Sequence, residues 1–377
     1  MRKKLAAACA VLSIIFANNI TSPSLVAAAR AESQPMSERV RAWKREWPVT
    51  DFARAAVPLT EIETIVGKDN ITSIDRPRFI AARDVMIENA DGARSEEDSG
   101  ARYRRRITAD ALSLSLREPV ISLQINGDAR AYPLRIMMWH EIVNDTVGDR
   151  PVSVTFCPLC NAAVVFERTI GGVATEFGTT GKLRNSDLVM YDRASESWWQ
   201  QFTGDGLVGA HAGKKLVRLP ARLESFETFR RRFPDGKVLT AQDPFARPYG
   251  ENPYLNYDTA SRPFLYRGGL PEGIKPLERV VAVGDVAYSL ALLREKGLIE
   301  ENGLLLSWSA GQASALDTRR ISEGRDVGNV VVEKKGADGR WRDADYDLVF
   351  AFAFHAFKPN GEWRLRESQI QQVAPEL

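Results

Sequence analysis

The sequence predicts an α+β protein: mostly antiparallel β-sheets with a few packed helices, forming two similar halves from an internal duplication. Three observations predict it. Short runs rich in β-branched and aromatic residues recur too closely for helical crossovers between parallel strands. Glycine and charged residues divide these runs. The same order of patterns also occurs twice along the chain.

The first element is a leader. Arg2, Lys3 and Lys4 give a basic start, residues 5–17 an apolar stretch too short to span a bilayer comfortably, and Ala29-Arg30-Ala31 a cleavage site. Residues 1–31 therefore read as a signal peptide, and the mature chain as periplasmic or secreted. That compartment is oxidising, so a close dithiol there can form a disulfide. The full chain has 51 Lys and Arg against 49 Asp and Glu. Cleavage removes Arg2, Lys3, Lys4 and Arg30 but no acid, leaving a net charge of about −2, which gives no reason to expect a nucleic-acid partner. No later run of about twenty apolar residues exists, so no stable membrane insertion is expected.

About 345 residues remain after cleavage, more than one small core needs. They divide into an N-terminal extension and linker at 32–110, a first repeat at 111–245 and a second, degenerate repeat at 246–377. Within the extension, the polar run at 91–106 reads as a surface loop. Residues 120–134 read as strand, tight Gly127-Asp128 turn, strand, and a helix begun at Pro133. Residues 280–290 repeat that outline with Gly284-Asp285 and Ser289. Residues 160–168 match 311–319 in length and pattern. Residues 226–236 match 350–361, each an aromatic helix stopped by a proline or glycine turn. Val152-Ser153-Val154-Thr155-Phe156 alternates as a strand, and 163–167, 175–177, 188–191 and 198–202 continue as short strands.

Against this shared scaffold one feature belongs to the first copy alone. Cys157-Pro158-Leu159-Cys160 stands where the second copy has Trp308-Ser309-Ala310-Gly311, and it holds both cysteines that survive cleavage. The four residues fit a β-turn with proline at its favoured second position, which brings the ends within about 7 Å, inside disulfide range. Thioredoxin-like proteins place such a pair ahead of a helix that lowers the thiol pKa. Here residues 161–166 read as strand, so the fold is not thioredoxin-like.

Three functions fit the pair. One is a redox-active dithiol performing thiol–disulfide exchange or a related reduction, with a periplasmic protein or a small-molecule thiol or oxidant as partner. In that reading the protein is a thiol–disulfide oxidoreductase, with Cys157 and Cys160 as attacker and resolver and His140 with Glu141 handling the proton. The second is copper or zinc binding through Cys157, Cys160 and His140; a four-cysteine zinc site is ruled out by count. The third is a non-catalytic binding module with a structural disulfide.

His140 and Glu141 end an expected helix over 133–143 whose apolar residues cover nearly its whole circumference, so both are carried into or beside a core. Asn144-Asp145 is expected to cap that helix. Residues 177–187 read as a glycine-bearing polar loop without P-loop spacing. Arg184, Asn185 and Asp187 there, with Trp198, are the candidate substrate-binding residues. His211 and His355 lie apart from this set.

The runs at 129–134, 140–145, 156–160 and 185–193 together resemble the bacterial "domain of unknown function 3179" family, with the likeness extending over about 67–358. That family brings no established activity, but the resemblance maps onto Cys157, Cys160 and His140 and implies that these positions matter.

Overall fold

A computed structural model describes residues 35–88, 113–244 and 246–370. The expected signal peptide at 1–31 and the polar run at 91–106 lie outside the described residues. Five α-helices are present among them: α1 (Met36–Glu46), α2 (Leu134–His140), α3 (Phe226–Arg232), α4 (Leu290–Lys296) and α5 (Ala351–Phe357). None is long and apolar enough to cross a membrane. The rest is mostly antiparallel strand, in five sheets of four or five strands set like the blades of a propeller ring, with two further strand pairs.

One sheet in each half has the same topology. In the first half the order is Arg222–Ser225, Pro119–Ile125, Asp128–Pro133, Lys237–Thr240, with Arg78–Ala81 added at the edge. In the second it is Asp347–Phe350, Arg279–Val283, Val286–Ser289, Glu362–Arg364. Each has a central hairpin closed by a Gly-containing turn and leading into a seven-residue helix, α2 or α4. Each has an outer strand leading into α3 or α5, and a last strand parallel to the second strand of the hairpin. Ser225 and Ser289 cap α3 and α4 by accepting the Thr228 and Leu292 N–H groups, which satisfies donors that the first helical turn leaves open.

A second sheet follows in each half: Ile142–Val147, Arg150–Cys157, Ala162–Glu167, Arg218–Leu219, and Leu298–Glu301, Leu304–Ser309, Asn329–Lys335, Trp341–Asp343. The halves part company at its connections. The first links its second and third strands by the Cys157–Asn161 turn, where the second half uses the long segment 310–328. Thus 160–168 and 311–319 are not equivalent: 162–167 is strand, 311–319 is largely turn and bend, and the strand in the corresponding place is Asn329–Lys335.

Four strands of the fifth sheet fall between Ala162–Glu167 and Arg218–Leu219, a fifth comes from the N-terminal extension, and the sheet has no counterpart later. It runs Ile62–Thr64, Phe177–Arg184, Asp187–Asp192, Trp198–Gln200, Gly206–Val208. Residues 177–184 are therefore strand, not loop, and only Asn185-Ser186, both in the left-handed region (φ 53° and 60°), form the turn. The glycines that suggested a loop serve close approach instead. A Cβ at Gly178 would come 2.5 Å from Asp69 Oδ1, and at Gly181 2.3 Å from Val66 O, so glycine lets residues 65–69 lie against the strand. Helix α1 packs Trp43 against the sheet in a cluster with Trp47, Phe52, Tyr191 and Trp198.

One apolar core runs through both halves, from Tyr132 and Phe156 to Val281, Leu306 and Phe350. Helix α2 is shorter than expected because Glu141 adopts φ 57° and stops it, after which Ile142 and Val143 extend as strand. Asn144 and Asp145 are consequently strand residues and not a cap.

Candidate functional site

Cys157 ends one strand and Cys160 precedes the next, so the turn between them is fixed by a sheet on both sides. Within it Cys160 N–H donates to Cys157 O at 3.3 Å, and Asn161, at φ 53°, completes the reversal. The second half holds this turn from outside. Asn161 Nδ2 donates to Leu348 O at 2.8 Å, and Phe350 N–H donates to Cys160 O at 3.0 Å. Both residues are free thiols, 2 % and 0 % exposed.

The third member of the cluster is Asp187, the first residue after the Asn185-Ser186 turn. One side-chain ligand atom from each of Cys157, Cys160 and Asp187 lies within 4.8 Å of the others, and all three residues are buried. Asp187 Oδ2 accepts from Gln200 Nε2 at 2.7 Å and from the Phe202 N–H at 3.0 Å. Oδ1 is buried without a hydrogen-bond partner. The Cys160 thiol points at Ser186 O at 3.4 Å, with Cys157 Sγ 4.0 Å from the same oxygen.

Glu141 approaches from the end of α2. Its carbonyl accepts the Phe156 N–H at 2.8 Å, tying it to the residue before Cys157. Burial, then repulsion from Asp187, pushes its carboxyl up to about 8. Burial also raises Asp187, to about 6, against the opposing pull of Gln200, Phe202 and the thiols. Burial raises both thiols, Cys160 well above its ordinary value. No lysine or arginine among the described residues figures in the main influences on any of the four groups. Four groups that ionise to anions thus share a dry site without a counter-charge.

The structure does not bring His140 into this cluster. Its Nδ1 is 2.7 Å from Thr72 O and its Nε2 2.8 Å from Tyr249 Oη. A carbonyl can only accept, so Nδ1 carries the proton and donates; Nε2 of the neutral ring then accepts from the tyrosine hydroxyl. Burial lowers its pKa and keeps it neutral. Both ring nitrogens are thus engaged away from the thiols, and the group of close side-chain atoms at the sulfurs is completed by Asp187. Trp198 is also elsewhere, fully buried against Trp43, Trp47 and Phe52. Arg184 is half-buried at the rim, donating from Nε to Glu61 Oε2 at 2.8 Å and from Nη1 to Gln200 Oε1 at 3.3 Å. Asn185 forms the turn.

A strap at 252–266 closes the site. Tyr257 Oη donates to Leu159 O at 3.0 Å and accepts from Phe264 N–H at 3.3 Å, while Ser186 Oγ donates to Phe264 O. Leu265 has φ 53°, uncommon for a bulky side chain. Glu141, Asn161, Asn185 and Ser186 share that left-handed conformation around the sulfurs, and strained backbone concentrates at functional sites. Gln200, Ser186 and Tyr257 escaped sequence reading because their partners lie in other strands or far along the chain.

A family model described as "protein of unknown function (DUF3179)" matches residues 68–361. The chain belongs to this family. Neither a curated protein nor a solved structure matches it. DUF3179 membership covers both halves, the Cys157–Cys160 turn and Asp187, and brings no named activity with it.

Proposed function

We propose that this DUF3179 protein binds one thiophilic divalent metal ion, zinc in class, through Cys157, Cys160 and Asp187. The carrying observation is the buried trio with ligand atoms within 4.8 Å of one another and, among the described residues, no lysine or arginine in the main influences on Asp187. A dication would neutralise what burial leaves unbalanced, and coordination deprotonates a thiol outright. Two sulfurs suit zinc or Cu(I), whereas the carboxylate oxygen is a harder donor that favours zinc.

Anaerobic titration of the mature chain with Co2+, a spectroscopic substitute for zinc, tests this. Thiolate-to-cobalt absorption saturating at one ion per chain, and lost on Cys157→Ser, is the expected result. No such absorption in the wild type would overturn the proposal.

The second reading is a redox dithiol, favoured by the nearness of the two sulfurs. Burial and raised pKas count against it, since the attacking species is an accessible thiolate. Mild oxidant closing the pair in the native chain, with reductant reopening it, would support it over metal. The binding-module reading loses its motivation because Trp198 is packed inside and the proposed loop is strand. Export through residues 1–31 and descent of the two halves from a duplication also remain proposals. Fractionation of cells for the mature chain tests the first, and the common strand order of the paired sheets supports the second.

A further inference from the structure

We infer that Gln200 is a positioning residue for the metal site: it aims the Asp187 carboxylate at the sulfurs, and Arg184 sets the orientation of its amide. This rests on the metal reading above. Gln200 is fully buried and sits across the sheet from Val189, two residues beyond Asp187 on the neighbouring strand. Its Nε2 donates to Asp187 Oδ2 at 2.7 Å and, at 3.5 Å, to the Arg184 carbonyl, while its Oε1 accepts from Arg184 Nη1 at 3.3 Å. Those three bonds define the amide. Turned over, it would set its oxygen against a carboxylate and its NH2 against a guanidinium, so Arg184 excludes the wrong orientation.

The consequence falls on Asp187. Gln200 and the Phe202 N–H both donate to Oδ2, which fixes the carboxylate plane and leaves Oδ1 buried without a partner. A buried carboxylate oxygen that no N–H or O–H donor satisfies, with only the two thiols as further donors to the group, is what a ligand requires and what a purely structural carboxylate avoids. The line of bonds Glu61–Arg184–Gln200–Asp187 runs from the 40 %-exposed Glu61 side chain to the buried centre. Partners that orient ligating groups in this way weaken metal affinity when removed, by about 10–100-fold.

Zinc affinity of the mature chain, measured by competition with a chelator, and the Co2+ spectrum together test the inference. Gln200→Glu keeps the shape but replaces the donor by an acceptor, Gln200→Ala removes it, and Arg184→Met removes only the upstream bond. The expected result is zinc binding about 10–100-fold weaker in both Gln200 variants. Their Co2+ bands should shift at unchanged one-to-one stoichiometry, and Arg184→Met should show a smaller loss in the same direction. A Gln200 that merely fills space would leave Gln200→Glu with wild-type affinity and spectrum, and that outcome overturns the inference. Should the Gln200 variants fail to fold, Arg184→Met at the half-buried rim decides: unchanged affinity and spectrum overturn it. A wild-type chain that binds neither Zn2+ nor Co2+ fails before any variant is compared, which removes the metal reading and this inference together.

Discussion

A carboxyl group buried without a compensating charge holds its proton to a higher pH than it would in water. Glu141, pushed up to about 8, is the extreme case. An acid whose pKa is higher folded than unfolded binds its proton more tightly when folded, so the folded state gains at low pH and loses that gain as pH rises. For Glu141 the window runs from its ordinary 4.5 to about 8. Glu141→Gln is neutral throughout. In metal-free protein its stability advantage over wild type should grow by about 1 kcal/mol per pH unit across that window, measured by denaturant unfolding in chelator. Parallel pH profiles would show that Glu141 is not desolvated as described. At this scale the sequence displayed the two cysteines and Glu141, each an unusual group in an apolar or turn setting, whereas Asp187 stood out only as a candidate substrate-binding residue of an expected loop and not as a neighbour of the sulfurs. His140 misled because sequence shows that a histidine is buried but not which carbonyl and hydroxyl satisfy it. Gln200 was invisible, because its role depends on pairing with a strand thirteen residues upstream.

Among the elements, the strap decides access. Tyr257 joins the Cys157–Cys160 turn to Phe264, and the sulfurs beneath are closed to solvent. Tyr257→Phe deletes the hydroxyl while keeping the ring that packs on Phe350. Losing hydrogen bonds worth about 1–1.5 kcal/mol should speed thiol labelling of the folded, metal-free protein by roughly tenfold. Labelling at the wild-type rate would mean that the strap is not the barrier. Four of the five described helices and the strands near 120–133, 152–156, 163–167, 188–191 and 198–200 were legible from pattern, while α1, most strands of the second half, the boundaries and the 177–187 segment were not. Glycines at 178 and 181 look like loop residues, yet they are there because another segment crosses the strand at backbone distance. Glu141 in the left-handed region likewise ended a helix that the apolar pattern alone would have carried to Val143.

Over the whole molecule, two halves with matching paired sheets share one core, but a long insertion sits in different places. The first half carries the extra sheet that delivers Asp187 and Gln200; the second carries segment 310–328. The outline common to the two paired sheets was legible where both halves keep a hairpin followed by a helix. It was misaligned at 160–168, where the insertion broke the register. Because the proposed ligands come from two sheets, and the second half holds their turn, an ion there ties together parts distant in the chain. Zinc at a thousandfold over its dissociation constant should therefore raise unfolding free energy by about 4 kcal/mol, and Asp187→Ala should lose most of that gain in the same unfolding experiment. Equal stabilisation of both proteins would place the ion elsewhere.

The decisive measurement is native mass spectrometry of the mature chain purified anaerobically and supplied with zinc. One zinc per wild-type molecule, and none after Cys157→Ser or Asp187→Ala, is the outcome predicted. A wild-type chain that stays metal-free, or variants that load as fully as it does, would contradict the account.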